Sequence, residues 1–209
     1  MGGSWGAVVA AAIAATHPWR VHQMLLGSFR TAANPVLLEM SRAARQYIEE
    51  GQAERLADLF VEGFGAGLSE AKKAQIRRQI GGLPREQAQH LHSLTLLCAD
   101  GADIGRHVDL GRIRARTLIL NGANDPIVDR ENLEWAVRRI PDCVGYLVPG
   151  VGHFLHEECP ALLATYEEFF RGLPLLPPDA LEAAGRPWSG AWSAEEATGL
   201  ARPEPALSS

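Results

Sequence analysis

The chain has 209 residues, of which 46% are hydrophobic and 22% charged, and its formal net charge is −5. This composition predicts a globular protein with one sizeable core, and it shows no nucleic-acid-binding signature. No P-loop, dinucleotide fingerprint or metal cluster occurs, and no stretch is long and apolar enough to span a membrane. The three cysteines, Cys98, Cys143 and Cys159, have no paired spacing, which favours reduced thiols and a cytoplasmic location.

The chain begins with a G-x-S-x-G motif over residues 2–6, with Ser4 at its centre. In a nucleophile elbow this pattern forms a strained turn from a strand into a helix and exposes the serine hydroxyl. The small residues over 7–15 predict that helix, and Pro18 closes it. Two alternatives are an ordinary loop with a helix, and a secretory signal over 7–15. The signal is disfavoured because no Lys or Arg precedes the apolar run.

An elbow requires a buried strand before its serine, and only Met1 precedes the motif. We therefore expect a chain that is truncated at its N-terminus. The apolar segment over 21–29 predicts the next strand, and we expect its edge to be unpaired without the strand that carries the serine. This 209-residue chain by itself is then expected to be poorly soluble and nearly inactive.

Helical patterns without obvious strands fill the next part of the chain. They cover residues 36–50, 53–64, 69–80 and 86–98. Together they predict a helical insertion between two strands. The apolar faces of these helices either pack on one another or shape a pocket above the serine, and the sequence does not say which faces do so. His90 and His92 lie two residues apart and share no helix face, so a metal pair is not expected there.

A basic cluster lies on the third of these helical patterns. It comprises Lys72, Lys73, Arg77 and Arg78. Lys73 and Arg77 are four residues apart and so lie on one helix face. Such a cluster could steer an acidic carrier protein that bears the substrate. The alternative is an ordinary solvated helix face.

Two polar residues follow the later strands. The apolar run over 117–120 predicts a buried strand, and Asp125 lies on the loop after it. A second strand over 144–148 leads into a turn with His153 at its tip. Taken singly, an aspartate in a turn or a lone histidine is usually structural. Ser4, Asp125 and His153 occur, however, in the order Ser, acid, His, each at an elbow or a strand end, which predicts a catalytic triad. Asp129 is the alternative acid, and we expect it farther along, inside the following helix.

These motifs together resemble the α/β-hydrolase superfamily from its elbow to its C-terminus, over residues 2–172. The resemblance rests on Gly3-Ser4-Trp5-Gly6, His17-Pro18-Trp19-Arg20-Val21, Leu25-Leu26-Gly27-Ser28, Leu120-Asn121-Gly122 with Asp125, and Val151-Gly152-His153-Phe154-Leu155. Within the superfamily, the chain is most similar to bacterial acyltransferases that make the hydroxyalkanoyloxy-alkanoate precursor of rhamnolipids. The implied fold is α/β: the C-terminal part of an α/β-hydrolase fold, with parallel strands flanked by helices and a helical cap insertion.

Triad chemistry assigns a role to each site residue. Ser4 would attack an acyl carbonyl, His153 would move its proton, and Asp125 would orient the imidazole. The backbone N–H of Trp5 would be one oxyanion donor, and the second would come from a region that this chain does not contain. The chemistry needs no cofactor and no metal. The resemblance implies a hydroxy-fatty-acyl thioester as donor, free or linked to a carrier protein, and a second hydroxyacyl as acceptor. A generic ester or thioester hydrolase is the alternative.

We expect four parts along the chain. Residues 1–33 hold the elbow, its helix and the following strand, and residues 34–112 form the cap. Residues 113–173 hold the strands and helices that carry Asp125 and His153, and the proline-rich residues 174–209 form a disordered tail. Two functional classes remain: a serine acyl-transfer enzyme whose chain begins late, or a non-catalytic remnant that serves as an interaction module.

Overall fold

A parallel four-stranded sheet forms the centre of the computed structural model, which describes residues 1–32, 34–84, 86–90, 93 and 104–172. The strands are β1 (Gly2–Gly3), β2 (Gln23–Gly27), β3 (Arg116–Gly122) and β4 (Cys143–Val148), in the spatial order β1-β2-β3-β4. Helices flank the sheet, so the α/β class is confirmed. Cys98, His92, most of the helix predicted over 86–98 and the predicted tail lie outside the described residues.

The helices follow the sequence patterns closely. They are α1 (Trp5–Thr16), α2 (Pro35–Glu49), α3 (Ala53–Phe64), α4 (Glu70–Gly81), α5 (Ile104–His107), α6 (Arg130–Arg139), α7 (Leu155–Glu158) and α8 (Leu162–Phe170), with a 3-10 turn at Leu110–Arg112. Side-chain caps set the starts of α2 and α4. Asn34 accepts a hydrogen bond from the N–H of Val36 ahead of α2, and Ser69 accepts one from the N–H of Lys72 ahead of α4.

The two faces of the sheet are buried by different helices. Small residues of α1 pack beside Ile119 of β3 on one face, with Ala7 and Ala11 fully buried. Leu118 and Leu120 point to the opposite face, where they meet Leu162 and Phe169 of α8. This division follows from the two-residue period of a strand. Because both faces are covered, the carboxyl ends of the strands and the loops after them are left to form a site.

The short strand β1 corrects one expectation. It pairs with the end of β2, with Gly2 beside Leu26 and Gly3 beside Gly27, although the sequence predicted no strand before the serine. Main-chain hydrogen bonding produces this pairing, since glycines carry no side-chain pattern that would predict a strand. The end of β2 nearest the serine is therefore paired, not exposed.

Helices α2, α3 and α4 lie between β2 and β3 in the chain. Part of their apolar surface is used for mutual packing, with Ile48 of α2 against Leu56 of α3. Another part joins Leu37 and Phe64 to Ile127 in the loop after β3. Within the described residues, none of the helices has the length and apolarity needed to cross a membrane.

Candidate active site

Ser4 lies at the corner between β1 and α1 in a strained backbone conformation. Its φ is 51° and its ψ is −121°, a region that residues other than glycine rarely adopt. The Ser4 N–H donates a 2.8 Å hydrogen bond to the carbonyl oxygen of Gly27, which fixes the corner to β2. Gly2 must be a glycine here, because a Cβ atom would overlap the backbone of Gly6. The turn thus has the geometry that the G-x-S-x-G motif predicts.

Asp125 and His153 are brought together by the loops after β3 and β4. Oδ2 of Asp125 lies 2.7 Å from Nδ1 of His153, while Oδ1 accepts a 3.0 Å hydrogen bond from the N–H of Ile127. The Asp125 side chain is fully buried and that of His153 is 9% exposed. A carboxylate at Nδ1 favours the tautomer that carries its proton there, which leaves Nε2 as a hydrogen-bond acceptor.

Two backbone hydrogen bonds hold these loops side by side. The N–H of Ala123 donates to the carbonyl of Val148, and the N–H of Asn124 donates to the carbonyl of Val151, each over 2.9 Å. They extend the pairing of β3 with β4 beyond the strand ends. The relative position of the acid and the histidine is therefore set by main-chain geometry.

Ser4 and His153 border one largely apolar cavity of about 410 Å³. Helix α2 contributes Leu37, Met40 and Ala44 to its wall, and α3 contributes Leu59, Phe60 and Phe64. The ring of Phe64 also packs on the imidazole of His153, with the ring centroids 4.7 Å apart. These are the insertion faces directed at the serine, which the sequence could not identify. A second cavity of about 250 Å³ borders the same two polar residues and includes Leu25 and Tyr166 in its wall.

Trp5 is the first residue of α1 and directly follows Ser4. The N–H groups in the first turn of a helix have no partner four residues earlier, and they lie at the positive end of the helix dipole. The Trp5 N–H belongs to this set, and the residue also borders the 410 Å³ cavity. It is thus located where a negatively charged oxygen near Ser4 would find a favourable field.

Three buried polar residues support the site and were not predicted as functional. Ser28 has a φ of 48° and donates a 2.8 Å hydrogen bond from Oγ to the carbonyl of His153. Asn121 is fully buried and bonds both the N–H and the carbonyl of Phe29. Glu158 is 2% exposed and accepts hydrogen bonds from the loop that carries His153. Asn121 could have been identified from the sequence as a polar residue at the end of an apolar strand. The sequence around Glu158 contains no comparable signal of a functional role.

The structure corrects the placement of Asp129, the alternative acid. Asp129 does not lie inside the following helix; it is the N-cap of α6, directly before Arg130. Its Oδ1 accepts hydrogen bonds from the N–H and the side-chain amide of Asn132, over 2.7 and 2.9 Å. This carboxylate is committed to capping, whereas Asp125 is the acid beside His153.

The basic cluster on α4 is largely paired with carboxylates. Lys72 contacts Glu157 of α7, Lys73 contacts Glu70, and Arg77 contacts Asp58 of α3, over 2.7–2.9 Å. Each partner carries a charge of opposite sign, so the positive field of these three residues is reduced locally. Steering of an acidic carrier protein stays a prediction.

The described cysteines are free thiols in poorly hydrated surroundings. Cys159 is buried, and burial raises the pKa of the Cys143 thiol well above its usual range. Across the described parts of the chain, no group of three or more His, Cys, Asp and Glu side chains could hold a metal ion.

Comparisons with known proteins bear on the family and the fold. The family model described as the alpha/beta hydrolase family matches residues 1–166. An alpha/beta hydrolase, MGS-M2, from a Medee basin deep-sea metagenome library is 18% identical; the match covers 84% of this chain and 65% of that one, with a TM-score of 0.71. A thermophilic esterase from Thermogutta terrifontis is 24% identical; the match covers 82% of this chain and 63% of the esterase, with a TM-score of 0.64.

A hydrolase from Pseudomonas aeruginosa PA01 is 19% identical; the match covers 82% of this chain and 63% of that hydrolase, with a TM-score of 0.62. At these identities the solved structures show a shared fold. The chain spans 63–65% of the length of these three proteins. No functionally curated protein gives a significant match.

Proposed function

Because the chain belongs to the alpha/beta hydrolase family, we propose that it is a serine-dependent hydrolase of carboxylic esters or thioesters. One observation carries the proposal. A serine in a strained elbow and a histidine bonded to a buried aspartate border the same apolar cavity. A serine or histidine with a purely structural role needs neither a strained elbow nor a buried aspartate partner at a shared cavity, so the combination favours a catalytic role.

The proposed reaction has two halves. Ser4 Oγ attacks the acyl carbonyl while Nε2 of His153 accepts its proton, and the imidazolium then protonates the leaving group. The buried carboxylate of Asp125 holds the ring and stabilises its charged form. The Trp5 N–H donates to the carbonyl oxygen as it becomes negative. Water, deprotonated by the same histidine, then attacks the acyl carbon; the bond to Ser4 Oγ breaks, and the imidazolium returns its proton to Ser4 Oγ as the acid is released.

The apolar cavity supports an apolar acyl group as the substrate portion that is bound there. Its wall is built mainly from Leu, Met, Ala, Phe and Ile side chains, with the polar side chains of Ser4, Arg30 and His153 among them. Burying methylene groups against such a wall is favourable by about 0.8 kcal/mol each. We therefore expect reactivity to rise as the acyl chain is lengthened from acetyl.

Acyl transfer to an alcohol is the second candidate function. The cavity of about 250 Å³ that also borders Ser4 and His153 favours it, because an acceptor alcohol needs its own binding space next to the acyl-enzyme. The acceptor suggested by the sequence resemblance is a hydroxyacyl group, and the donor is its thioester. Hydrolysis and transfer share the acyl-enzyme, so they differ only in what resolves it.

The test is covalent labelling of the protein with a fluorophosphonate, which needs a single reaction of Ser4 and so detects the nucleophile even at the low activity expected of this chain by itself, followed by a panel of acyl esters and thioesters. We expect labelling at Ser4 and none in Ser4→Ala. Ser93→Ala is the matched control, since Ser93 is an exposed serine that lines neither of the two cavities beside Ser4. A hydroxyacyl acceptor added to the panel separates transfer from hydrolysis. Labelling that is unchanged in Ser4→Ala would refute the proposal.

A further inference from the structure

The buried carboxylate of Glu158 accepts hydrogen bonds from the main chain on both sides of His153. Oε2 of Glu158 accepts a 2.7 Å hydrogen bond from the N–H of Gly152, and Oε1 accepts a 3.1 Å hydrogen bond from the N–H of Phe154. The Glu158 N–H in turn donates to the carbonyl of Phe154 over 2.9 Å. The residues before and after the histidine are thus tied to a single side chain.

A carboxylate is costly to bury unless its oxygens receive hydrogen bonds. Glu158 is 2% exposed, and each of its oxygens receives one backbone N–H. Hydrogen bonds to an ionised acceptor are shorter and stronger than those between neutral groups. The two N–H donors are otherwise loop groups that would need water or another acceptor. The carboxylate and the loop therefore satisfy one another.

A glycine from the helical insertion encloses the same carboxylate. A Cβ atom on Gly67, in the loop between α3 and α4, would overlap Oε2 of Glu158. On the other side, a Cβ atom on Gly152 would come within 3.0 Å of Oε1. There is accordingly little room for this side chain to adopt another rotamer without moving a loop.

We propose that Glu158 is a positioning residue that fixes the main chain around His153 and so keeps the imidazole aligned with Asp125 and Ser4. The hydrogen bond from Ser28 to the His153 carbonyl holds the same loop from the sheet side. The catalytic part of this inference rests on the proposed function. Displacing a reacting group by about 1 Å can lower the reaction rate about 100-fold. Holding the main chain on both sides of His153 therefore protects the rate of the proposed reaction.

The direct test is Glu158→Gln, which keeps the size of the side chain and replaces one acceptor oxygen with an NH₂ group. That NH₂ would face a backbone N–H, so at least one of the two loop hydrogen bonds is lost. Glu167→Gln is the matched control, because Glu167 is an exposed glutamate on α8 that pairs with Arg171.

Two readouts are needed. The first is the NMR signal of the proton shared by His153 Nδ1 and Asp125, which needs no turnover. The second is the kcat and KM for an ester that labels Ser4. We expect the proton signal to shift or broaden in Glu158→Gln, and kcat to fall about 10- to 100-fold with KM within about twofold. The control should match the wild type in both readouts.

A proton signal and a kcat that are unchanged in folded Glu158→Gln would overturn the positioning role. If the wild-type protein turned over no ester, the proposed function would fail, but the proton signal would still decide the positioning role. Gly67→Ala covers the case in which Glu158→Gln does not fold, because it keeps the carboxylate and displaces it. A folded Gly67→Ala protein with wild-type proton signal and kcat would also overturn the inference.

Discussion

Replacing Asp125 by asparagine should remove nearly all of the proposed esterase activity while leaving the fold intact. The Asp125 side chain is fully buried and serves two donors, Nδ1 of His153 at 2.7 Å and the N–H of Ile127 at 3.0 Å. Asparagine has one carbonyl oxygen, so its NH₂ group must face one of these donors. If the NH₂ group faces Nδ1, the imidazole takes the tautomer with its proton on Nε2 and cannot accept the proton of Ser4.

A wrong tautomer costs about 10⁴-fold in kcat in the serine protease that is the reference case for this substitution. At 1.36 kcal/mol for each factor of ten, this is about 5 kcal/mol of transition-state stabilisation. We expect a loss of about 10³- to 10⁴-fold here, measured as the rate of fluorophosphonate labelling and as kcat/KM on an ester.

Asp129→Asn is a matched control for this substitution, four residues away. Asp129 caps α6 through its side-chain oxygen, and asparagine is an equally good N-cap residue. Its activity and melting temperature should stay close to those of the wild type. The reasoning would be refuted if Asp125→Asn labelled at the wild-type rate, or if Asp129→Asn lost as much activity as Asp125→Asn.

Three further predictions concern the surroundings of the site. Ala44→Phe fills part of the 410 Å³ cavity and should shift the preference on an acyl-ester panel toward shorter chains; an unchanged chain-length profile would contradict this acyl site. Neutralising Lys73, Arg77 and Arg78 together should weaken use of a carrier-protein-linked acyl donor at low salt and barely change hydrolysis of a small neutral ester, and equal effects on both would assign the basic cluster to an ordinary surface. Burial raises the pKa of Tyr166 to about 12, above its value of about 10 in an unfolded chain. Its contribution to the free energy of unfolding is therefore present below pH 10 and is lost as the pH rises toward 12. Tyr166→Phe should reduce that loss in urea titrations at pH 9 to 12, and the same fall of the free energy of unfolding with pH in both proteins would contradict this role of Tyr166.

Much of the fold could be predicted because local chemistry and tertiary structure agree. Asn34 and Ser69 have side chains that cap helices, and α2 and α4 begin directly after them. The strand β3 is an apolar run bounded by polar residues, and it is buried almost throughout. Ser4 could be nominated from the G-x-S-x-G motif, and Asp125 and His153 because each follows an apolar strand; parallel strands place their carboxyl ends together.

The remaining features depend on contacts between distant segments. No local pattern distinguishes Ser28 from an ordinary loop serine, and its bond to His153 joins residues 125 positions apart. Glu158 looks like one of several glutamates near α7 until the fold buries it. The strand β1 consists of two glycines, whose pairing is made by the backbone of β2 alone. Hydrophobic periodicity carries no information about such groups.

Both strained serines obtain their support from the sheet. Ser4 and Ser28 are the described non-glycine residues with positive φ, and each directly follows a strand end. The N–H of Ser4 bonds the carbonyl of Gly27, and the N–H of Ser28 bonds the carbonyl of Leu120, over 2.8 and 2.9 Å. Each strained residue is thus held by the next strand of the sheet, which offsets the cost of its conformation. Ser28 also donates a hydrogen bond to the His153 carbonyl, so the proposed nucleophile and the proposed base are both positioned from the carboxyl ends of the strands.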